Sequence, residues 1–305
     1  MLRFLARRIV LALLVTVTVL TLSFALTRLS GDLATAIAGP QATPEDIAMI
    51  RIAYGLDQPI LKQFFDWVLA AARGDLGRSY LYHAPVGGLI GSHLPVTLVL
   101  GLAGLTIALA TALPLGILAA LNEGRWLDRG IMLVAVIGQA IPGFWLSLIL
   151  IIIFGLDLGW LPISGTDSWD GYVLPAVVLA FSSIPTLMRL TRSGMVGVMA
   201  ADYIRTARAK GLGRISIVLK HALRNAAMPV VAVAAVQLGF MLSGSVVVET
   251  IFSLDGVGHL AWESISKNDF PVVQAVVLFF AVNFIALTLL ADLLNAVLDP
   301  RLRHG

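Results

Sequence analysis

The residues best placed to do chemistry lie in one polar stretch. Between Arg189 and Arg224 fall eight of the chain's twenty-one lysines and arginines, with a single acid, Asp202. The run Ala201-Asp202-Tyr203-Ile204-Arg205-Thr206-Ala207-Arg208-Ala209-Lys210-Gly211-Leu212-Gly213-Arg214 leads on to His221-Ala222-Leu223-Arg224-Asn225-Ala226 and Pro229. So many cations must sit in water or against an acidic or polar partner, and the chemistry they offer is recognition. Catalytic alternatives lack their parts. No Gly-x-x-x-x-Gly-Lys-Ser/Thr loop is present to cradle the phosphates of ATP. The histidines, His83, His93, His221, His259 and His304, show no ligand spacing, so no metal site is expected. Ser243 and Ser245 would need a buried base to act as nucleophiles, and the spans supply no His or Lys for that role. With no cysteine, thiolate chemistry and disulfides are excluded.

The elements that must position this stretch are apolar. Of 305 residues 58% are hydrophobic and only 13% charged, against about a quarter charged in soluble domains. Charge-free runs extend over Ile9 to Thr27, Leu94 to Asn122, Ile131 to Leu156, Gly171 to Met188, Ala226 to Val248 and Phe270 to Ala291. Each approaches or exceeds the roughly 20 residues that cross a bilayer core. Six spans are therefore expected in an all-α polytopic membrane protein. The first run follows Arg3, Arg7 and Arg8 as a signal peptide would, and Ala34-Thr35-Ala36 weakly imitates a cleavage site; its length favours a retained helix. Pro and Gly inside the spans, such as Gly101, Gly104, Pro114, Pro142, Pro175, Pro185 and Gly239, are tolerated where helices bundle.

Charge bias sets the orientation. An even number of spans puts both termini on one side, and fifteen of the twenty-one cations fall there, against Arg28, Arg51, Lys62, Arg73, Arg78 and Lys267 opposite. By the positive-inside rule the termini, the Glu123 to Gly130 loop and the basic stretch are cytoplasmic. The boundaries read as a cytoplasmic N-terminus and first span at 1–29, an extracytoplasmic loop at 30–93, a five-helix core at 94–297 with a basic loop at 190–228, and a cytoplasmic tail at 298–305. The long first loop is broken by Pro40, Pro44, Pro59 and Pro85 and carries two short amphipathic stretches, Pro44 to Tyr54 and Ile60 to Ala72. Trp160, Trp169 and Trp262 in the outer loops suit an interfacial belt.

Within the basic stretch, Asp202 opens a short helix and Arg208 and Lys210 close it, as the helix dipole favours. Gly211 supplies the stop. A second helix is expected from Arg214 to Ala227, with Pro229 in the first turn of the fifth span. Small Ala207 and Ala209 leave room for a close neighbour, and Tyr203, Ile204 and Leu212 offer apolar anchors. A solvated basic loop that only fixes topology or touches anionic lipid is the plain alternative. Gln139, Gln237, Ser243 and Asn283 are polar groups inside spans, which either hydrogen-bond between helices or line a solute path. Glu249 and Asp292 stand at span ends, where water is expected to be close; no ionisable group is expected near a span centre, which argues against an ion-coupled carrier.

The basic stretch, together with Tyr54-Gly55-Leu56-Asp57-Gln58-Pro59, Arg73-Gly74-Asp75-Leu76-Gly77-Arg78-Ser79, Gly159-Trp160-Leu161-Pro162, Ser243-Gly244-Ser245-Val246-Val247-Val248-Glu249-Thr250-Ile251-Phe252 and Leu298-Asp299-Pro300-Arg301, resembles the ABC importer permeases of the dipeptide, oligopeptide and nickel branch. Arg205-Thr206-Ala207 stands where the general importer pattern has Glu-Ala-Ala, which points away from sugar importers. The resemblance implies the type I permease architecture with cytoplasmic coupling helices, a bacterial inner membrane location and no enzyme activity of its own. It implies that Asp202, Tyr203, Arg205, Thr206, Ala207, Arg208, Lys210, Gly211 and Leu212 couple to an ATPase. No cofactor is expected in this chain, with ATP and magnesium held by partner subunits. The implied partners are a second homologous permease, two ATP-binding subunits, an extracytoplasmic solute-binding protein and membrane lipid, without nucleic acid. The expected cargo is a di- or oligopeptide, with nickel chelates, glutathione and opines as alternatives. An ion-coupled secondary transporter and a membrane protease are the rival classes.

Overall fold

A computed structural model describes residues 2–29, 32–39 and 41–298. The expected tail, the Leu298-to-Arg301 motif beyond its first residue, and Pro40 lie outside the described residues. Thirteen α-helices order the described chain: α1 Leu2–Leu29, α2 Leu33–Ala38, α3 Pro44–Ala53, α4 Ile60–Ala72, α5 Val86–Leu121, α6 Trp126–Ala140, α7 Gly143–Leu150, α8 Val173–Met199, α9 Asp202–Ala209, α10 Arg214–Ser216, α11 Leu223–Ile251, α12 Val257–Ser266 and α13 Phe270–Leu298. Short π segments, Ile151–Asp157 and Ile217–Ala222, follow α7 and α10, and a 3-10 turn, Trp169–Tyr172, leads into α8.

The chain divides into two compact units. One takes in Val96–Asp255 with the stretch from Ala286; the other takes in Leu2–Pro95 and Gly256–Ile285.

In the first unit, α8 packs against α6, α7 and α11, and α5 joins the same core through Leu100, Ala108 and Ala112. The reason is legible on α5, where Gly104, Ala108, Ala112 and Gly116 recur every fourth residue and form one small-residue face. A Cβ on Gly104 would stand 3.2 Å from the Leu179 Cβ, and one on Gly116 only 2.7 Å from the Thr191 Cβ and 2.8 Å from the Met188 carbonyl. Between lipid tails no hydrophobic force drives helices together, so close backbone approach and van der Waals contact must do it. Glu249, expected near water at a span end, is instead fully buried and accepts a 2.8 Å hydrogen bond from Thr97 Oγ1.

Two expectations are corrected here. The run Ile131 to Leu156 is no single straight span: α6 and α7 meet at 97° across Ile141-Pro142. Proline disfavours the helical conformation in the residue before it, and Ile141 accordingly lies at φ −79°, ψ 120°. Among the described residues five helices are long and apolar enough to cross a membrane, or six if the bent pair counts as one. Nor does a separate helix end at Ala227, because the chain runs helical from Arg214 to Ile251, with Pro229 inside α11.

The second unit holds α3 and α4 at the two amphipathic stretches read from the sequence. Pro44 fits the first turn of α3, where its missing N–H has no partner to lose. Thr43 and Asp46 form a reciprocal capping box there, and those bonds hold the Asp46 carboxyl below its ordinary range. A polar strap then ties the segment after α4 to the turn between α12 and α13. Asp269, buried, accepts from the Ser79 hydroxyl and from the backbone N–H groups of Tyr80 and Leu81 at 3.2 Å. Glu263 accepts from the Tyr82 hydroxyl and from Lys267 Nζ at 2.6 Å.

Candidate coupling surface

Helix α9 has eight residues, too few to be stable alone in water. Its own sequence supplies the clamp. Ile204 and Ala207, three apart and so on one face, are buried in a cluster with Met195, Ile217, Val218, Ala222 and Ala226. From the other side of the elbow, Asn225 Nδ2 donates to the Tyr203 hydroxyl at 2.8 Å. The helix ends in a Schellman motif: Gly211 N–H donates to the Arg208 carbonyl at 3.0 Å and Leu212 N–H to the Ala207 carbonyl at 3.3 Å. This needs a left-handed residue, and Gly211 sits at φ +73°. No atom lies within 4 Å of where its Cβ would be, so the constraint on this position is backbone conformation and not crowding.

The outer face is what remains. Asp202, Tyr203, Arg205, Thr206, Arg208, Lys210, Gly211 and Leu212 are all exposed. Arg205 pairs with Asp202 across one turn, but with 74% and 85% of the side chains exposed the pair adds little stability. Thr206 Oγ1 bonds back to the Asp202 carbonyl at 3.1 Å. Ile204 and Ala207, read from the sequence as an anchor and a gap for a neighbour, face inward and hold the helix to its own chain. Ile215 and Leu219, not singled out in the sequence, are exposed beside the cations. The π segment Ile217–Ala222 lies in this elbow, widening the helix where Lys220 and His221 project.

A second tether was missed because its partners are 64 residues apart. Arg192 donates from Nε and a terminal nitrogen to both carboxylate oxygens of Asp128, at 2.6 and 2.7 Å. The Gly124 N–H adds a third bond at 2.9 Å. Asp128 is only 3% exposed, so Arg192, one of the eight cations of the stretch, is committed to a bidentate pair that fixes the Glu123 to Gly130 loop to α8. The one sequence signal was an acid in the first turn of α6.

The in-span polar residues lie on three helices, α6, α11 and α13. Gln139 is exposed at the end of α6, just before the bend, and Gln237 is half-buried in α11. Ser243 Oγ donates to the Gly239 carbonyl at 3.0 Å and Asn283 Nδ2 to the Phe279 carbonyl at 2.8 Å. Each of these bonds stays within its own helix instead of running between helices. The apolar groove of about 440 Å³ along α6 and α8 is lined by Gly138, Phe181 and Pro185 and not by Gln139.

Comparison with known proteins places these features. Residues 112–304 match the model of the binding-protein-dependent transport system inner membrane component, and residues 1–101 match its N-terminal counterpart. The glutathione transport system permease protein GsiC of Escherichia coli (strain K12) is 42% identical over 276 residues, covering 90% of each chain. GsiC of Salmonella typhi is 43% identical over the same length and coverage. Among solved structures, the inward-facing MetNI methionine ABC transporter superposes with a TM-score of 0.59 at 18% identity, over 69% of this chain and 96% of that one. An amino acid ABC transporter solved with histidines gives 0.51 at 17%, over 69% and 94%. At such identities these two show the shared fold.

Proposed function

The chain belongs to the binding-protein-dependent transport system inner membrane components, the permease subunits of ABC importers, and from that premise we propose that α9 is the handle by which a separate ATP-binding subunit drives it. The carrying observation is the pairing of a clamped inner face, Ile204 and Ala207, with an exposed outer face of Tyr203, Arg205, Arg208, Lys210 and Leu212. A lever transmits force only if it is rigidly joined to what it moves. Here Asn225 and the buried cluster join α9 to α11 and α8. Two ATP-binding subunits, a second homologous permease and an extracytoplasmic solute receptor complete the assembly in this reading. The basic stretch and both termini face the cytoplasm, in keeping with the charge bias.

For the cargo, we infer a small peptide, with glutathione first among those to test, because relatives sharing 42% and 43% of aligned residues carry that name. The family assignment sets aside the ion-coupled carrier and the protease. The test is uptake into vesicles holding the assembled transporter and its receptor, with labelled glutathione and dialanine, with and without ATP. Charge reversal at Arg208 and Lys210 is expected to leave the permease in the membrane, abolish co-purification of the ATP-binding subunit and stop uptake. Undiminished ATP-driven uptake by that variant would overturn the handle, and uptake of dialanine without glutathione would overturn the cargo.

A further inference from the structure

The second unit contains a cleft of about 470 Å³ that coupling does not use. Arg28, Tyr54, Gln63, Asp66, Trp67 and Tyr80 line it. Arg28 is half-buried, and its guanidinium makes no hydrogen bond or ion pair among the described residues. Its Nε is sealed from solvent without an acceptor, and its nearest neighbour of note is the Phe24 ring at 5.0 Å. A guanidinium partly withdrawn from water is costly unless an anion meets it. Tyr80 sits close by with its phenol pushed up to about 12, first by burial, so it remains a neutral donor at any working pH. Acceptors lie in the same cleft. Gln63 gives both donor bonds to the Leu56 and Gln58 carbonyls, at 3.2 and 2.7 Å, which leaves its buried Oε1 without a partner. Asp66 adds a carboxylate. Arg78 lines the cleft as well, with a terminal nitrogen already donating to the His83 carbonyl at 2.8 Å, so the cleft offers donors to an anion at Arg28 and Tyr80 and acceptors to a cation at Gln63 and Asp66.

Depth says which zwitterion. Arg28 closes an apolar helix, Val10–Leu29, whose 20 residues span roughly 30 Å, so the guanidinium lies at headgroup level. Helix α4 is held at that depth by Phe64 and Trp67, whose rings lie 5.3 and 6.1 Å from Phe24. Its opposite stripe, Leu61, Phe65 and Leu69 at spacings of four, is 53 to 73% exposed and has nothing apolar in water to meet. We propose that this cleft binds the headgroup of an aminophospholipid, phosphate on Arg28 and ammonium toward Gln63 and Asp66, with α4 lying in the membrane interface.

The test uses the intact transporter in detergent, with bound lipid extracted and counted, and with phosphatidylethanolamine, phosphatidylglycerol or dialanine added back. Wild type is expected to retain phosphatidylethanolamine, and Arg28→Gln to weaken retention about tenfold, as loss of one charge-assisted contact implies. Asp66→Asn is expected to keep phospholipid but lose the preference for ethanolamine over glycerol. Equal retention by Arg28→Gln, or displacement of the lipid by excess dialanine, would overturn the proposal, the latter by making the cleft a solute site. Should Arg28→Gln fail to assemble, the absence of cysteine in this chain allows a nitroxide at Phe65→Cys. Faster relaxation by oxygen than by a water-soluble nickel complex is expected, and the reverse would remove α4 from the interface.

Discussion

Each unit has its own buried apolar cluster, but the two add to it in different ways. In the unit built on α8 and α11 the work is done by missing atoms: Gly104, Ala108, Ala112 and Gly116 let backbones approach until a single added carbon would collide. In the other unit α12 packs through Val257 and Leu260 against Val86 and Val272, but neither α3 nor α4 has one buried residue. What holds the segment after α4 is hydrogen bonding to two carboxylates, Asp269 and Glu263. Packing of the first kind suits a body that must move as a unit when pulled. Polar straps of the second kind suit a surface in contact with water, and they bring a sensitivity to titration that close packing lacks.

That contrast can be broken most severely at Asp269. Replacing it with alanine leaves the Ser79 hydroxyl and two backbone N–H groups without their acceptor at a buried site. A loss of about 3 to 5 kcal/mol is expected, on the scale of orphaning several bonds to one charge. Limited proteolysis should find new cleavage between Gly77 and Pro85 while α8 and α11 stay protected. If both units became susceptible together, the division of labour would be wrong. Next in size is Gly116→Val, whose side chain would meet Thr191 and the Met188 carbonyl. Overpacking of this kind costs about 1 to 3 kcal/mol. Here the expected outcome is the mirror image, a lower thermal midpoint for the helical body with the 77–85 segment unchanged.

How much of this was legible beforehand follows from the range of each signal. Local patterns were read well: the two surface helices, the short α9, and the glycine stop at Gly211 each depend on residues within one or two turns. Long-range polar bonds were not. Nothing near Asp128 indicates that Arg192 will reach it, and nothing near Asp269 names Ser79, 190 residues away. The bend at Pro142 was present in the sequence as a proline inside a charge-free run, but hydropathy averages over such a run and cannot see a break in direction. At the coupling surface the sequence named the residues and missed their facing. Burial of Ile204 and Ala207 depends on Met195 and Ala222, which come from other helices.

A smaller effect sharpens the account of α9. Gly211→Ala must place a Cβ in the left-handed region, at about 1 to 2 kcal/mol, with no crowding to add to it. Such a cost frays the last turn without unfolding the clamped body. Membrane abundance should therefore stay near wild type while ATP-driven uptake falls by about tenfold, given that 1.4 kcal/mol is a factor of ten in populations. Parallel loss of abundance and uptake would show that the glycine serves folding alone.

The smallest expected effect is one of pH, and it belongs to the polar unit. Lys267 first, and the Tyr82 hydroxyl second, hold the Glu263 carboxyl below its ordinary value, against a lesser opposing effect of burial. A carboxyl lowered on folding stabilises the folded state fully above the unfolded value of 4.5, and that contribution fades as the pH falls through the lower folded value. Because the side chain is about one third exposed, water screens the pair and the contribution stays below about 1 kcal/mol. Hydrogen exchange at Tyr82 to Ala84 should therefore speed modestly, after correction for intrinsic rates, between pH 6 and the acid side of that value. Amides of α8 around Leu179, packed on Gly104, should show no such change; those near Arg192 fall outside the contrast, because Asp128 is also lowered by its pair and will respond to acid. Glu263→Gln should remove the dependence from the strap. An equal acid response in the Glu263→Gln variant would assign the effect to another group, and an equal response at the close-packed contact of Leu179 with Gly104 would erase the difference between strap and packed helix that this titration is meant to expose.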